Sequence, residues 1–382
     1  MELQNTSMIQ DGKIMNTVCA IQTRGQYSED EIRRCYHELI SNYNYLRDII
    51  CKGDRVLIKP NIVAPSIKAT TDLILLSCVI DTILEIGATP IVAESSGFEF
   101  STAETFRILK LDVICQKKGV RLVNLDEEEF IEVESGNPFV PQYVLPKLIF
   151  EVDKIINIPR LKGHSLTKVT FSIKNLFGLL HRSTRRKIHA TNLEMGIRYL
   201  KYLIPVNFVL VDGLWNLSNA VYSNADYRGI LLCGDDMTSV DICCCKIYGV
   251  DYRKIPHIYN KDEDVEYACK ELSAIQEFKR VERDEAWYQK QNIKYKTMYK
   301  IDLFVSKLFK RTIIPYVHYY GGIRPYIDKK KCKACGKCEK VCPVQAIQNK
   351  RISIERCVNV RCMKCYEACP NKAVVMKGFH KS

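Results

Sequence analysis

From residue 54 onward, short apolar runs alternate with longer stretches of helical period, the pattern of an α/β fold with a mostly parallel sheet. Val56, Leu57 and Ile58 form one buried run, residues 72–86 carry a helical period, and residues 90–93 form the next run. The pattern predicts a helix over 103–118 and a strand over 120–125, with Gly87 and Gly119 as helix stops. Further buried strands are expected at 154–158, 208–211 and 230–233, the last followed by a helix over 239–248 that Gly249 ends. The most apolar windows, 73–84 and 203–211, are broken by Asp81, Pro205 and Asn207 and fall short of a membrane span.

Beyond residue 260 the pattern changes. Residues 261–312 are charged and aromatic, with an amphipathic helix expected around 299–309 whose lysines flank Leu303, Phe304, Leu308 and Phe309. Such a helix either packs on the main domain or lies on a membrane surface. Gly321, Gly322 and Pro325 read as a linker. The expected organisation is therefore an α/β domain over 1–260, a connector over 261–324 and a small α+β, ferredoxin-like module over 325–382.

Cysteine spacing supplies the chemistry of that module. Cys332, Cys335, Cys338 and Cys342 form C-x2-C-x2-C-x3-C followed by Pro343, the run that holds a 4Fe-4S cube in bacterial ferredoxins. A 27-residue shift superposes Cys335, Cys338, Cys342, Pro343 and Ala346 on Cys362, Cys365, Cys369, Pro370 and Ala373, so the module is an internal duplication and two 4Fe-4S clusters are expected. The shift would pair Cys332 with Asn359, whereas the available thiol is Cys357, giving C-x4-C in the second half. Crossed ligation assigns Cys332, Cys335, Cys338 and Cys369 to one cluster and Cys357, Cys362, Cys365 and Cys342 to the other. The alternatives are a labile or three-iron second cluster, or zinc on the same cysteines.

Eighteen cysteines, eight of them at metal-ligand spacing, fit a reducing, cytoplasmic and anaerobic setting, and the N-terminus shows no secretory signal. The net charge of +13 is concentrated: residues 326–382 hold 14 Lys and Arg against 4 Asp and Glu. A basic surface of this kind suits an acidic redox protein, a ferredoxin or flavodoxin, as donor or acceptor. Nucleic acid is disfavoured, because the module lacks the interleaved stacking aromatics of single-strand binders.

In the large domain, polar residues sit at the C-terminal ends of apolar runs, where open α/β sheets bind ligands. Lys59 and Asn61 follow the first run, Glu94 the second, Lys162 and His164 the run at 154–158, and Asp212 the run at 208–211. With Lys174, Asn175 and His189 they make a candidate cleft. Arg182, Arg185, Arg186 and Lys187 would give it a positive field suited to a carboxylate or phosphate, or else form an exposed basic loop. His164 and His189 are candidate proton donors. Cys243, Cys244 and Cys245 lie on an expected helix, where consecutive side chains diverge by about 100°, so packing rather than metal binding is expected. No G-x-G-x-x-G or P-loop run is present.

Several of these segments also carry a resemblance. Val56 to Asn61 (VLIKPN), Leu161 to His164 (LKGH), Ser172 to Gly178 (SIKNLFG), His189, Val211-Asp212-Gly213 and Ser239-Val240-Asp241 together resemble the family catalogued as domain of unknown function 362, with an appended ferredoxin module. The resemblance implies a redox-associated α/β protein and brings no reaction with it. Where members often carry a Gly-Pro-rich segment after the Asp-Gly pair, residues 214–227 contain no proline. The expectation is an iron-sulfur electron-transfer protein and oxidoreductase acting on an anionic small molecule. The alternative is a carrier or adaptor that docks a partner enzyme without chemistry of its own.

Overall fold

The computed structural model describes residues 8–10, 13–43, 45–98, 100–217, 225–261, 267–270, 275, 284–314, 324–357, 362 and 364–377. Gly321, Gly322, Asn359 and residues 218–224 of the proline-free segment lie outside them. Among the described residues the large α/β domain is built on a nine-stranded sheet. Five parallel strands form its centre, in the spatial order Arg121–Asn124, Thr89–Glu94, Arg55–Pro60, Lys154–Ile158 and Phe208–Leu217. Ala225–Gly234 returns antiparallel to the last of these and pairs with Lys13–Gln22, which in turn pairs with Met8–Gln10 and Tyr267–Lys270.

Both faces of the parallel strands are covered, which is why their sequences are almost continuously apolar. Val56 and Ile58 join the core on one face and Leu57 the core on the other; Ile156 and Ile155 divide the same way. Leu73–Ile86 starts at Asp72, whose carboxylate accepts the amides of Ile74 and Leu75, and stops at Gly87 with φ +82°.

The single helix expected over 103–118 is two, Thr102–Leu109 and Leu111–Lys117. Lys110 takes left-handed backbone at φ +60° between them, and its amide closes the first helix on the Arg107 and Phe106 carbonyls. In one continuous helix Leu109 and Leu111 would point roughly 200° apart. The break lets both join Phe106 and Cys115 in one core. Residues 182–187 are likewise not a loop: they belong to the helix Arg182–Ala190. The connector helix is Glu285–Phe309, 25 residues, much longer than 299–309. Cys243, Cys244 and Cys245 are fully buried on the helix Met237–Ile247.

The C-terminal region is small and mixed, with Arg324–Ile327 antiparallel to Val374–Lys377 and a short hairpin of Ile347–Gln348 with Arg351–Ile352. Its duplication is visible in the backbone. The Asp328 amide donates to the Ala373 carbonyl and the Ser353 amide to the Ala346 carbonyl, both at 2.7 Å. Asp328 and Ser353 stand four residues before Cys332 and Cys357, whose amides return to their carbonyls at 3.0 and 3.1 Å. Each half of the module thus anchors the other.

Candidate cluster sites and the polar centre of the sheet

The four thiols of Cys332, Cys335, Cys338 and Cys369 line one cavity of about 250 Å³ at the module's surface. Three come from the first cysteine run and one from the second, the set that crossed ligation requires. Cys335 is exposed, and Lys333 and Lys350 stand at the rim. Burial raises the Cys338 thiol. Burial also works against ionising Cys369, but the amides of Val374, Ala373 and Asn371 outweigh it and lower that thiol.

The other four cysteines gather deeper. Burial pushes the Cys365 thiol up to about 12, and the neighbouring Cys357, Cys362 and Cys342 add to the push. Cys362 and Cys365 are each only 8% exposed. The fourth cysteine of each run accepts an equivalent amide, Ala346 onto Cys342 Sγ and Ala373 onto Cys369 Sγ, both at 3.2 Å. Such N–H···S bonds are one of the levers that set a cluster's potential. Two groups of four thiols, one around a cavity, fit iron-sulfur cubes, each of which supplies one-electron storage when bound. The deeper group abuts the large domain: Cys362 packs on Ile108, and Lys364 Nζ donates to the Ile108 carbonyl at 3.1 Å.

In the α/β domain the chain makes its topological switch between Arg55–Pro60 and Lys154–Ile158, the point where open sheets place ligands. The expected cleft residues divide there into two groups. Six of them, Lys59, Asn61, Glu94, Lys162, Asn175 and Asp212, are buried and spend their polar atoms on one another or on nearby backbone. Lys59 Nζ meets Glu94 Oε2 at 2.6 Å and the Pro60 carbonyl at 2.8 Å; Glu94 also accepts the amides of Ile62 and Ser95. Lys162 Nζ donates to Asn61 Oδ1 and to the Ala69 carbonyl, both at 2.8 Å, while Asn61 Nδ2 donates to Asn175 Oδ1. Burial lowers both lysines; Glu94 opposes the shift at Lys59, and Arg160 and Lys174 add to it at Lys162. Asp212 pairs with Arg160 at 2.7 Å and accepts the Asp72 amide.

Five of the six, Lys59, Asn61, Glu94, Lys162 and Asn175, therefore form a closed network rather than the wall of an open cleft, and Arg160 closes off Asp212 beside them. Burying them is tolerable because nearly every donor and acceptor finds a partner. Two members were not anticipated from the sequence. Asn157 accepts from Asn175 Nδ2 at 2.7 Å and donates to the Ser172 carbonyl, and Arg160 neutralises Asp212. The signal for Asn157 was there: one amide inside the run Ile155-Ile156-Asn157-Ile158. Arg185 is also inward, donating to the Leu180, Ser96 and Gly178 carbonyls, and burial lowers it to about 10. Arg182 pairs with Asp126 and Arg186 with Asp302, so these arginines are engaged within the protein.

His164, Lys174 and His189 form the second group, each partly buried. His164 Nδ1 accepts the amides of Leu166 and Thr167 at 3.2 and 3.3 Å, which places the proton of the neutral ring on Nε2. Burial drives its pKa well down, helped by the charges of Lys174, His189, Lys162 and His257. Desolvation lowers Lys174 to about 8, opposed by Glu194 and reinforced by Arg185. Its Nζ lies 5.9 Å from the Phe177 ring centroid. His189 stacks on Tyr299 of the connector helix, ring centroids 4.5 Å apart and 12° from parallel. The group is cationic and partly desolvated.

Among known proteins, the chain is 24% identical over 249 residues to the thylakoid-associated protein sll1697 of Synechocystis sp., covering 60% of this chain and 74% of that protein. The structure of the lactate racemase apoprotein from Thermoanaerobacterium thermosaccharolyticum is 14% identical with a TM-score of 0.36, covering 64% of this chain and 59% of that one. Residues 325–348 match the 4Fe-4S binding domain, which gives the chain the capacity of an iron-sulfur electron carrier. Residues 56–246, half of the chain, match the domain of unknown function DUF362, and the chain belongs to that family.

Proposed function

We propose that this protein is an oxygen-sensitive oxidoreductase of a reducing compartment, the cytoplasm, that moves single electrons through two 4Fe-4S clusters between an acidic redox protein and an anionic small molecule in the α/β domain. The observation that carries this reading is the cavity lined by Cys332, Cys335, Cys338 and Cys369, thiols of both runs meeting at one place. Asp328 and Ser353 anchor Cys332 and Cys357 alike, so Cys357 is the equivalent ligand and the two extra residues follow it. The exposed group containing Cys335 faces the partner, and the buried group seated on Ile108 faces the α/β domain.

The anion site is His164, Lys174 and His189. Lys174 supplies charge, His164 Nε2–H donates a hydrogen bond, and Phe177 and Tyr299 pack on the His189 ring and keep water from it. The closed network holds the segments that carry His164 and Lys174 through their neighbours Lys162 and Asn175. Boundaries near residues 260 and 324 separate domain, connector and module. The test is anaerobic mixing of the reduced protein with a panel of carboxylates and phosphates, following cluster bleaching and recovery. Reoxidation by one of them, lost in Lys174→Gln with the cluster spectrum intact, is expected.

The burial of six of the nine expected cleft residues favours a second reading, a carrier that docks a partner enzyme. Reoxidation by a protein acceptor and by no anion would select it.

A further inference from the structure

The connector helix Glu285–Phe309 is pinned along one side. Tyr299 stacks on His189, and the buried Asp302 accepts the Thr312 hydroxyl and the Ile313 amide at 2.7 Å, with Arg186 nearby at 3.7 Å. At 100° per residue, Tyr288, Tyr299 and Asp302 share one face of the helix. The opposite face must then point away from the protein, and it is apolar. Ile293, Ile301, Phe304 and Leu308 fall within an arc of roughly 80° and are 68, 51, 65 and 58% exposed. They are four of the fourteen large hydrophobic side chains exposed among the described residues, so the grouping is not the usual scatter of single exposed residues.

Charge selects the occupant. Lys290 lies within the arc, with Lys294 on one border and Lys300, Lys307 and Lys296 on the other, all exposed, and the helix's acidic residues are absent from this face: Glu285 starts the helix and Asp302 is buried inward. An apolar stripe bordered by lysines on both sides matches a bilayer surface bearing anionic headgroups, with acyl chains for Phe304 and Leu308 and phosphates for the lysines. Among the described residues no helix is long and apolar enough to cross a membrane, and this one needs only to lie in the interface. We propose that the outer face of the Glu285–Phe309 helix docks the protein on an anionic lipid surface. The inference is independent of the electron-transfer reading.

The test is co-sedimentation of the full, cluster-loaded chain with phosphatidylcholine vesicles, with and without phosphatidylserine. Binding at least about tenfold stronger to the anionic vesicles is expected, weakening between about 0.1 M and about 1 M salt. Phe304→Asp with Leu308→Asp should abolish binding, and Lys300→Glu with Lys307→Glu should remove the preference for phosphatidylserine, with iron content and circular dichroism unchanged in both. Absence of binding, or equal binding to both vesicles, overturns the proposal. So does a chain that self-associates and is returned to monomer by Phe304→Asp, which would make the face an interface between copies.

Discussion

Lys59 Nζ lies 2.6 Å from Glu94 Oε2 at the C-terminal ends of adjacent parallel strands, with both side chains closed off from solvent. Removing one partner strands a buried charge. Glu94→Ala is expected to cost about 3–5 kcal/mol, measured by anaerobic urea unfolding, and Lys59→Met combined with Glu94→Leu to recover most of it. Gly178 faces the same pair: a Cβ there would lie 2.6 Å from Glu94 Oε1 and 2.9 Å from Lys59 Nζ. Gly178→Ala should cost about 1–3 kcal/mol.

Lys174 sets a pH dependence. Its ammonium is charged below about 8 and neutral above, so anion affinity should be full below that pH and decline as pH rises through it. Unfolded, the same lysine titrates near its usual 10.5. Between the two values the unfolded chain holds the extra proton, and stability should rise with pH across that window. Lys174→Arg should keep anion binding above pH 8, and Lys174→Gln should lose it throughout. Calorimetric titration of the ligand found by reoxidation screening reads both.

Cysteine substitutions separate ligand from core. Cys357→Ser should remove half of the iron, whereas Cys243→Ser, at a fully buried position on the Met237–Ile247 helix, should leave it intact. Iron analysis after anaerobic reconstitution decides; loss of iron in the Cys243 variant would contradict its packing role.

Salt should act on one electron donor and spare another. Two oxidised cubes at about −2 each would leave residues 326–382 at roughly +6. An acidic ferredoxin steered by Lys329, Lys330, Lys331, Lys333 and Lys337 should then reduce the protein more slowly in high salt, while a small neutral reductant should not respond. Equal responses in stopped-flow traces would remove the docking surface.

The strands were legible because buried parallel strands are written as continuous apolar runs, and the helix ends because Asp72 and Gly87 are local signals. The cysteine spacing was legible for the same local reason. The break at Lys110 was not, since it is decided by which core Leu109 and Leu111 must share. The closed state of the polar network was also hidden: Lys59, Asn61 and Lys162 read as ligand-facing strand ends, and only their long-range partners Glu94, Asn175 and the Ala69 carbonyl turn them inward. The strand Lys13–Gln22 was hidden because Asn16 and Thr17 interrupt its apolar run.

The C-terminal module should store two electrons on two clusters, and stoichiometric reductive titration of the anaerobically reconstituted protein measures that storage. Uptake of two electrons per chain at eight iron and eight sulfide is the predicted result. Uptake of one electron at four iron would contradict it.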